Sequence, residues 1–145
     1  MIEVVGNIWN YPAVWCCIPT CGVVNSKKEL VMGAGLALQA KRRFPEMPAM
    51  LGEHVGRFGN VPKMLFDQKL ISFPTKDHWK DSSSVSLIRA GAGWLWEMLW
   101  SSNDVIVLPR VGCGLGNLDW HTQVKPILEE RLPSNRFVVV AEYKD

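Results

Sequence analysis

The chain predicts a three-layer α/β domain built on a central mixed sheet. Three observations carry this: short apolar runs of strand length, helical apolar patterns between them, and glycine-rich segments where a run gives way to a helix. At 145 residues, 48% of them hydrophobic, the chain suits one compact domain over residues 1–145 with a proper core.

Glu3 to Val5 and Val14 to Pro19 are the first two strands, the second apolar along most of its length, as expected where both faces are covered. A helix follows over Gly33 to Phe44. Leu36, Ala40 and Phe44 recur at four-residue spacing, Lys41, Arg42 and Arg43 suit the negative end of the helix dipole, and Pro45 stops it. Ala49 to Phe58 is the second helix, with Met50, Leu51, His54, Val55 and Phe58 on one face and Gly59-Asn60 as the closing turn. Met64 to Phe66 and Leu70 to Phe73 form a hairpin around Asp67-Gln68-Lys69, ended by Pro74.

Thr75 to Ser84 has no apolar period and leads as a loop into a helix over Val85 to Trp100. Its buried stripe is Leu87, Ile88, Gly91, Trp94, Leu95, Met98 and Leu99, and Gly91 and Gly93 permit close packing on the sheet. Val105 to Leu108 is another buried strand. From Asp119 a helix carries Trp120, Val124, Ile127 and Leu128, with Pro126 in its first turn or at a bend, and Phe137 to Val140 completes the sheet.

Composition excludes several classes of function. The net charge of +2 and the scattered cations, apart from Lys41-Arg42-Arg43, give no large basic face. The first residues lack a basic stretch followed by a long apolar one, so neither a signal peptide nor a membrane span is expected and the setting is cytoplasmic. Cys16, Cys17, Cys21 and Cys113 contain no Cys-x-x-Cys pair, and neighbours Cys16 and Cys17 point to opposite faces of a strand, so reduced thiols are expected. His54, His78 and His121 have no metal-ligand spacing, and neither metal nor cofactor is assigned. Trp94, Trp96 and Trp100 in one helix point to core or self-association.

In an open α/β sheet ligands bind at the carboxyl ends of strands, where loops and helix N-termini offer backbone N–H groups. Val31-Met-Gly-Ala-Gly-Leu-Ala37 and Leu108-Pro-Arg-Val-Gly-Cys-Gly-Leu-Gly116 both fall at such places. Gly33 and Gly35 bring bare backbone to a helix start, and Gly112, Gly114 and Gly116 space out a longer loop. Neither segment is a Walker A loop or a Gly-x-Gly-x-x-Gly fingerprint, which disfavours an ordinary nucleoside-triphosphate enzyme and an ordinary dehydrogenase.

Gly6-Asn-Ile-Trp9, Val23-Val-Asn25, Val31-Met-Gly-Ala-Gly-Leu-Ala-Leu-Gln39, Phe73-Pro-Thr-Lys-Asp-His-Trp79 and Leu108 through Trp120 resemble, in this order, the motifs of the macro domain family. The resemblance covers nearly the whole chain. It is greatest to the branch with terminal ADP-ribose protein glycohydrolase and the DNA ADP-ribosylation antitoxin.

That resemblance implies an ADP-ribose site. Asn7 and Ile8 face adenine, with Asn7 standing where the family has an acidic residue; a neutral acceptor there implies weaker adenine discrimination. Met32, Gly33, Ala34, Gly35 and Leu36 form one diphosphate loop, and Arg110, Val111, Gly112, Cys113, Gly114, Leu115, Gly116 and Asn117 the other. Asn25 matches the residue facing the distal ribose, though a turn role after Val23-Val24 fits it as well, and Thr20 lies beside it. Cys113 reads as packing rather than nucleophile.

Lys76 matches the lysine that this branch uses against the anomeric carbon, forming a covalent sugar adduct; a lysine attacks only as the neutral amine. The branch's acidic partner aligns with Gly116 and is missing here, leaving His78, Asp77 or Asp81 as substitutes. Trp79, with Lys80 beside it, either stacks on a base of the substrate or anchors its loop against the core. The implied function is removal of ADP-ribose from a modified macromolecule, DNA, RNA or protein, with nucleic acid slightly favoured. Two alternatives stand beside it: an ADP-ribose-binding module without turnover, and a phosphatase acting on ADP-ribose 1''-phosphate.

Overall fold

The computed structural model describes residues 1–142. Among the described residues six strands form one sheet: β1 (Ile2–Val5), β2 (Trp15–Thr20), β3 (Lys63–Leu65), β4 (Leu70–Pro74), β5 (Ile106–Leu108) and β6 (Phe137–Ala141). Their order is β1-β6-β5-β2-β4-β3, with every neighbouring pair parallel except the β3/β4 hairpin. Four helices cover the sheet: α1 (Gly35–Arg43), α2 (Met47–Phe58), α3 (Val85–Leu99) and α4 (Lys125–Arg131). The three-layer arrangement expected from the apolar pattern is the one observed.

The two-residue period of the strands divides the core into two faces. Trp15, Cys17, Ile71, Phe73, Ile106, Leu108, Phe137 and Val139 pack with α3 and α4. Ile18 and Leu70 pack with α1 and α2, and Val107, Val138 and Val140 with Ile8. Cys17 lies on the first face and Cys16 against the second, so the adjacent thiols do point apart. Burial pushes the Cys16 thiol up to about 12 and Cys17 well above its ordinary value.

Several boundaries shift for local reasons. Helix α1 begins at Gly35 because Ala34 is extended, and α2 begins at Met47, with Pro48 in the first turn where its missing N–H costs nothing. Pro126 likewise opens α4, after a π-helical turn over Trp120–Val124. Two expected core residues are corrected: Phe58 is 64% exposed and Met98 is 52% exposed. Phe58 is the last residue of α2, and Met98 lies beside the buried Ile88, Ala92, Leu95 and Leu99 stripe of α3 rather than on it. Trp94 and Trp96 are partly buried against the core, whereas Trp100 is exposed.

Gly91 does permit close packing, since a Cβ there would fall 2.7 Å from the Phe73 ring; Gly93 has no such neighbour nearer than Arg131 at 3.6 Å. The C-terminal end of α3 is closed from a distance: the Arg136 guanidinium donates to the carbonyls of Leu99, Trp100 and Asp104. No helix among the described residues is long and apolar enough to cross a membrane.

The edge strand β1 is tied in by Glu3. Its carboxylate lies 2.7 Å from Lys125 Nζ and 3.7 Å from Arg110 Nη2, and accepts from Trp120 Nε1 at 2.8 Å. Lys125, then Trp120, hold the Glu3 pKa below its ordinary value. A depressed folded-state pKa contributes stability above the unfolded pKa, lost as pH falls through the folded one. Glu3→Gln is therefore expected to lower Tm near neutral pH, with the difference from wild type vanishing well below the ordinary glutamate pKa of about 4.3. Thermal melts of both proteins across an acid series check this, and a constant offset at every pH would remove Glu3 ionisation from the account.

Candidate functional site

Strands β5, β2 and β4 are neighbours at the centre of the sheet, so the loops that follow them emerge side by side. These are the segment leading into α1, the second glycine segment, and the loop that carries Lys76. Thr20, buried at the end of β2, lies between them, and its carbonyl accepts from Thr75 N at 2.9 Å.

After β2 the chain makes a tight excursion. Asn25 Oδ1 accepts from the backbone N–H of Lys27 at 2.9 Å and of Glu29 at 3.0 Å, so its oxygen serves the turn that the sequence also allowed. Only its amide NH2 is left for a ligand. Val24 bridges Leu30, and Leu30 N donates to Pro48 O, which fastens the excursion to α2. Gly52 of α2 has no room for a side chain because the Lys28 carbonyl occupies the Cβ position.

Met32 is buried between the sheet and α1/α2, so what it offers the site is backbone. Gly33, Ala34 and Gly35 are exposed. Gly35, at φ +56, turns the chain into α1, and no side chain caps the first turn. Its amide groups and the positive end of the dipole are thereby presented outward, an arrangement suited to an anion.

The loop after β5 folds on itself through Leu118 N to Gly112 O and Asn117 N to Gly114 O, both 3.0 Å. Gly112 and Gly114 have φ of +77 and +71, and Asn117 adopts the same left-handed region. Val111 is fully buried. Burial raises the Cys113 pKa, and its thiol lies 3.6 Å from Val111 O, which fits packing rather than nucleophilic chemistry. Arg110 does not face the site, because its guanidinium lies over the Trp120 ring and next to Glu3.

The lysine loop is closed at its neck, where Ser84 N donates to Thr75 O at 2.8 Å. Lys76 Nζ donates to Leu115 O at 3.4 Å, across to the second glycine loop. Leu115 in turn reaches Gly35, its Cδ1 lying 3.9 Å from where a Cβ would stand. The three loops thus meet at Leu115, which is itself 70% exposed.

Trp79 is 51% exposed, so it does not anchor the loop in the core. It lies against His78, ring centroids 5.3 Å apart, with Lys80 Nζ 5.1 Å from its own centroid. His78 Nδ1 accepts from Lys80 N at 3.1 Å, which leaves the neutral ring's proton on Nε2. Gly116 is buried: a side chain there would strike Ser83 Oγ, and Ser83 N donates to Gly116 O at 2.8 Å. The Ser83 hydroxyl is buried without a partner in that position.

Asn7 and Ile8 lie at the same carboxyl edge, beyond β6. Asn7 Oδ1 accepts from Trp9 N at 3.0 Å and caps a short 3-10 turn over Ile8–Asn10. Ile8 is buried in the apolar group against which Leu36 of α1 also packs, which brings this turn beside the first glycine loop. Two concavities lie off the glycine loops, one of about 750 Å³ beside Trp94 and Arg131 on α3 and α4, the other of about 420 Å³ between the turn after β1 and the starts of β2 and β4.

Sequence reasoning missed Asn60, taken only as part of a turn. Its Nδ2 donates to Lys76 O at 2.9 Å and to Asp77 Oδ1 at 3.0 Å. Gly22 N donates to Asp77 O, and Gly22 lacks a side chain where Asn60 Nδ2 stands, 2.8 Å from the absent Cβ. No spacing in the sequence signals this pairing. Asn60→Asp removes both donors and sets a second carboxylate beside Asp77. Amide hydrogen exchange in residues 76–82 is expected to rise on the order of 10-fold, the scale of one lost hydrogen bond. Adding Asp77→Asn rebuilds the side-chain pair in reverse and restores part of the protection; exchange unchanged by Asn60→Asp removes Asn60 from the loop's support.

Comparison with known proteins gave no match to a sequence-family profile. The DNA ADP-ribosyl glycohydrolase of Mycobacterium tuberculosis is 37% identical over 114 residues, 72% of this chain. That of Thermus aquaticus is 30% identical over 140 residues, 87% of this chain. The chain spans about a third of the length of these curated relatives, 31% and 38%. Among solved structures, the macrodomain of Thermus aquaticus DarG has a TM-score of 0.73 at 28% identity, covering 99% of this chain and 97% of that one. Thermosipho africanus DarTG in complex with ADP-ribose shares the fold, with a TM-score of 0.75 at 22% identity over 98% of this chain and 42% of that one.

Proposed function

We propose that this chain, which belongs to the macro domain family, binds ADP-ribose across its two glycine loops and cleaves an ADP-ribosyl bond on nucleic acid with Lys76. The observation that carries the proposal is the reach of Lys76 Nζ to Leu115 O, which sets a primary amine among the loops that would cradle the diphosphate. The relatives named DNA ADP-ribosyl glycohydrolase support nucleic acid as the substrate class. So does an exposed Trp79 with a cation over its ring, three residues from Lys76. A cytoplasmic setting belongs to the same proposal.

In this mechanism the amide groups at the start of α1 and in the second glycine loop hold the diphosphate and place the distal ribose beside Lys76. The Lys76 amine, which attacks only once it has given up its proton, forms a bond to the anomeric carbon as the bond from that carbon to the modified base breaks. The leaving base takes a proton, and water later releases the sugar from the lysine. Gly116 supplies no acid for that proton. The proton comes from the Lys76 nitrogen, which is cationic once bonded to the anomeric carbon and sheds it to the leaving base.

One observation favours the reading without turnover: Ser83 fills the place where an acid at position 116 would stand. A panel of ADP-ribosylated DNA, RNA and protein, assayed with wild type and Lys76→Ala, separates the two. Release of ADP-ribose from DNA is expected, falling by roughly two orders of magnitude or more in the variant, the scale of losing one reacting group. Calorimetric binding of ADP-ribose with no release from any substrate would select the binding module, and phosphate release from ADP-ribose 1''-phosphate the phosphatase. Asn7→Asp keeps the cap on the 3-10 turn and supplies a charged acceptor, so it is expected to tighten ADP-ribose binding several-fold. Unchanged affinity by calorimetry would take Asn7 out of adenine recognition.

A further inference from the structure

We propose that the cavity between the turn after β1 and the starts of β2 and β4 is a second binding site, for an unpaired nucleobase with its attached phosphate. It lies where β2 and β4 begin and α1 ends, with Ile8 and Trp9 of the turn after β1 lining its other side. Its volume of about 420 Å³ falls within the range of sites for small ligands.

The walls suit a planar ring. Trp9 and Tyr11 come from the turn after β1, and Phe44 from the end of α1, over a floor of Leu70 and Val107. The Cys16 thiol in the same floor, pushed up to about 12 by burial, adds no negative charge.

Gln68 supplies the polar address. Its Nε2 donates to Glu46 Oε1 at 2.9 Å, which fixes the amide's orientation, because the reverse would set two oxygens together. Its Oε1 is then a buried acceptor with no partner. A buried acceptor left unpaired costs free energy, and a turn of the Gln68 side chain toward the cavity would bring it to an exocyclic amine or ring N–H of a base.

Two cations at this cavity suit the phosphate. The Arg43 guanidinium stacks 4.2 Å from the Trp9 ring centroid, a geometry that leaves its N–H edge free for a phosphate oxygen. Lys69 lines the cavity beside Gln68, and Lys41 and Arg42 stand exposed on the same end of α1. Its polar groups belong to neither the glycine loops nor the lysine loop, although the cavity shares Ile8 with the adenine side of the ADP-ribose reading on which that site rests.

The test uses the whole chain saturated with ADP-ribose, so that the glycine loops are occupied, and titrates it with a short single-stranded oligodeoxynucleotide and, in a separate arm, with thymidine monophosphate. Binding is expected in at least one arm, and which ligand binds more tightly separates a strand from a free nucleotide. Arg43→Gln with Lys69→Gln is expected to weaken oligonucleotide binding about 10-fold or more and to lower the slope of log affinity against log salt by roughly 1–2. Gln68→Leu, which leaves the cations in place, is expected to weaken binding without changing that slope. Binding in neither arm, or binding indifferent to both variants while their circular dichroism remains native, overturns the proposal. Failure of ADP-ribose itself to bind would instead count against the glycine-loop reading and leave the oligonucleotide titration to be read by itself.

Discussion

The covering of both sheet faces is the constraint on which the rest of the structure depends. With α3 and α4 on one side and α1 and α2 on the other, side chains in the middle of the strands are committed to packing. Ser72 shows what a polar group must do there: it is buried in β4, and its hydroxyl accepts from Lys63 N at 2.9 Å, across the hairpin. Chemistry is consequently displaced to the strand ends. Because β2 lies between β5 and β4, their carboxyl ends bring three loops together around Thr20 without any contact between distant parts of the sequence having to be specified separately.

The same constraint explains what was legible. Continuous apolar runs and four-residue spacings identify strands and helices because both report burial, and burial here is nearly complete on two faces. The glycine loops were legible as backbone-presenting segments, since Gly35, Gly112 and Gly114 adopt positive φ that other residues resist. Side-chain direction was not. Arg110 belongs by sequence to the second glycine loop, yet Glu3, more than a hundred positions earlier, and Trp120 draw it to the β1 edge. Asn25 and Asn7 spend their side-chain oxygens on local N–H groups, a choice settled by turn geometry.

Asn60 was illegible for a different reason. Its role rests on the absence of a side chain at Gly22 and on two acceptors at Lys76 and Asp77, contacts that cross between separate loops. A sequence displays residues but not the spaces between them. Gly116 makes the same point from the other side, since the family resemblance implies an acid at this position while the fold gives its space to Ser83.

That exchange has a structural consequence. Ser83 belongs to the lysine loop, so its seat on Gly116 fixes the two loops in register from behind, while Lys76 and Leu115 meet in front. An acid placed at position 116 alone would displace Ser83 and with it the loop that carries the amine. Restoring the acid therefore requires a second change at Ser83, and the simple substitution disturbs Lys76 before it supplies a proton. A glycine at position 116 and the packing of the lysine loop are thus one feature. Through Ser83 and Leu115 the second glycine loop and the lysine loop share their support, so the position of one is tied to that of the other.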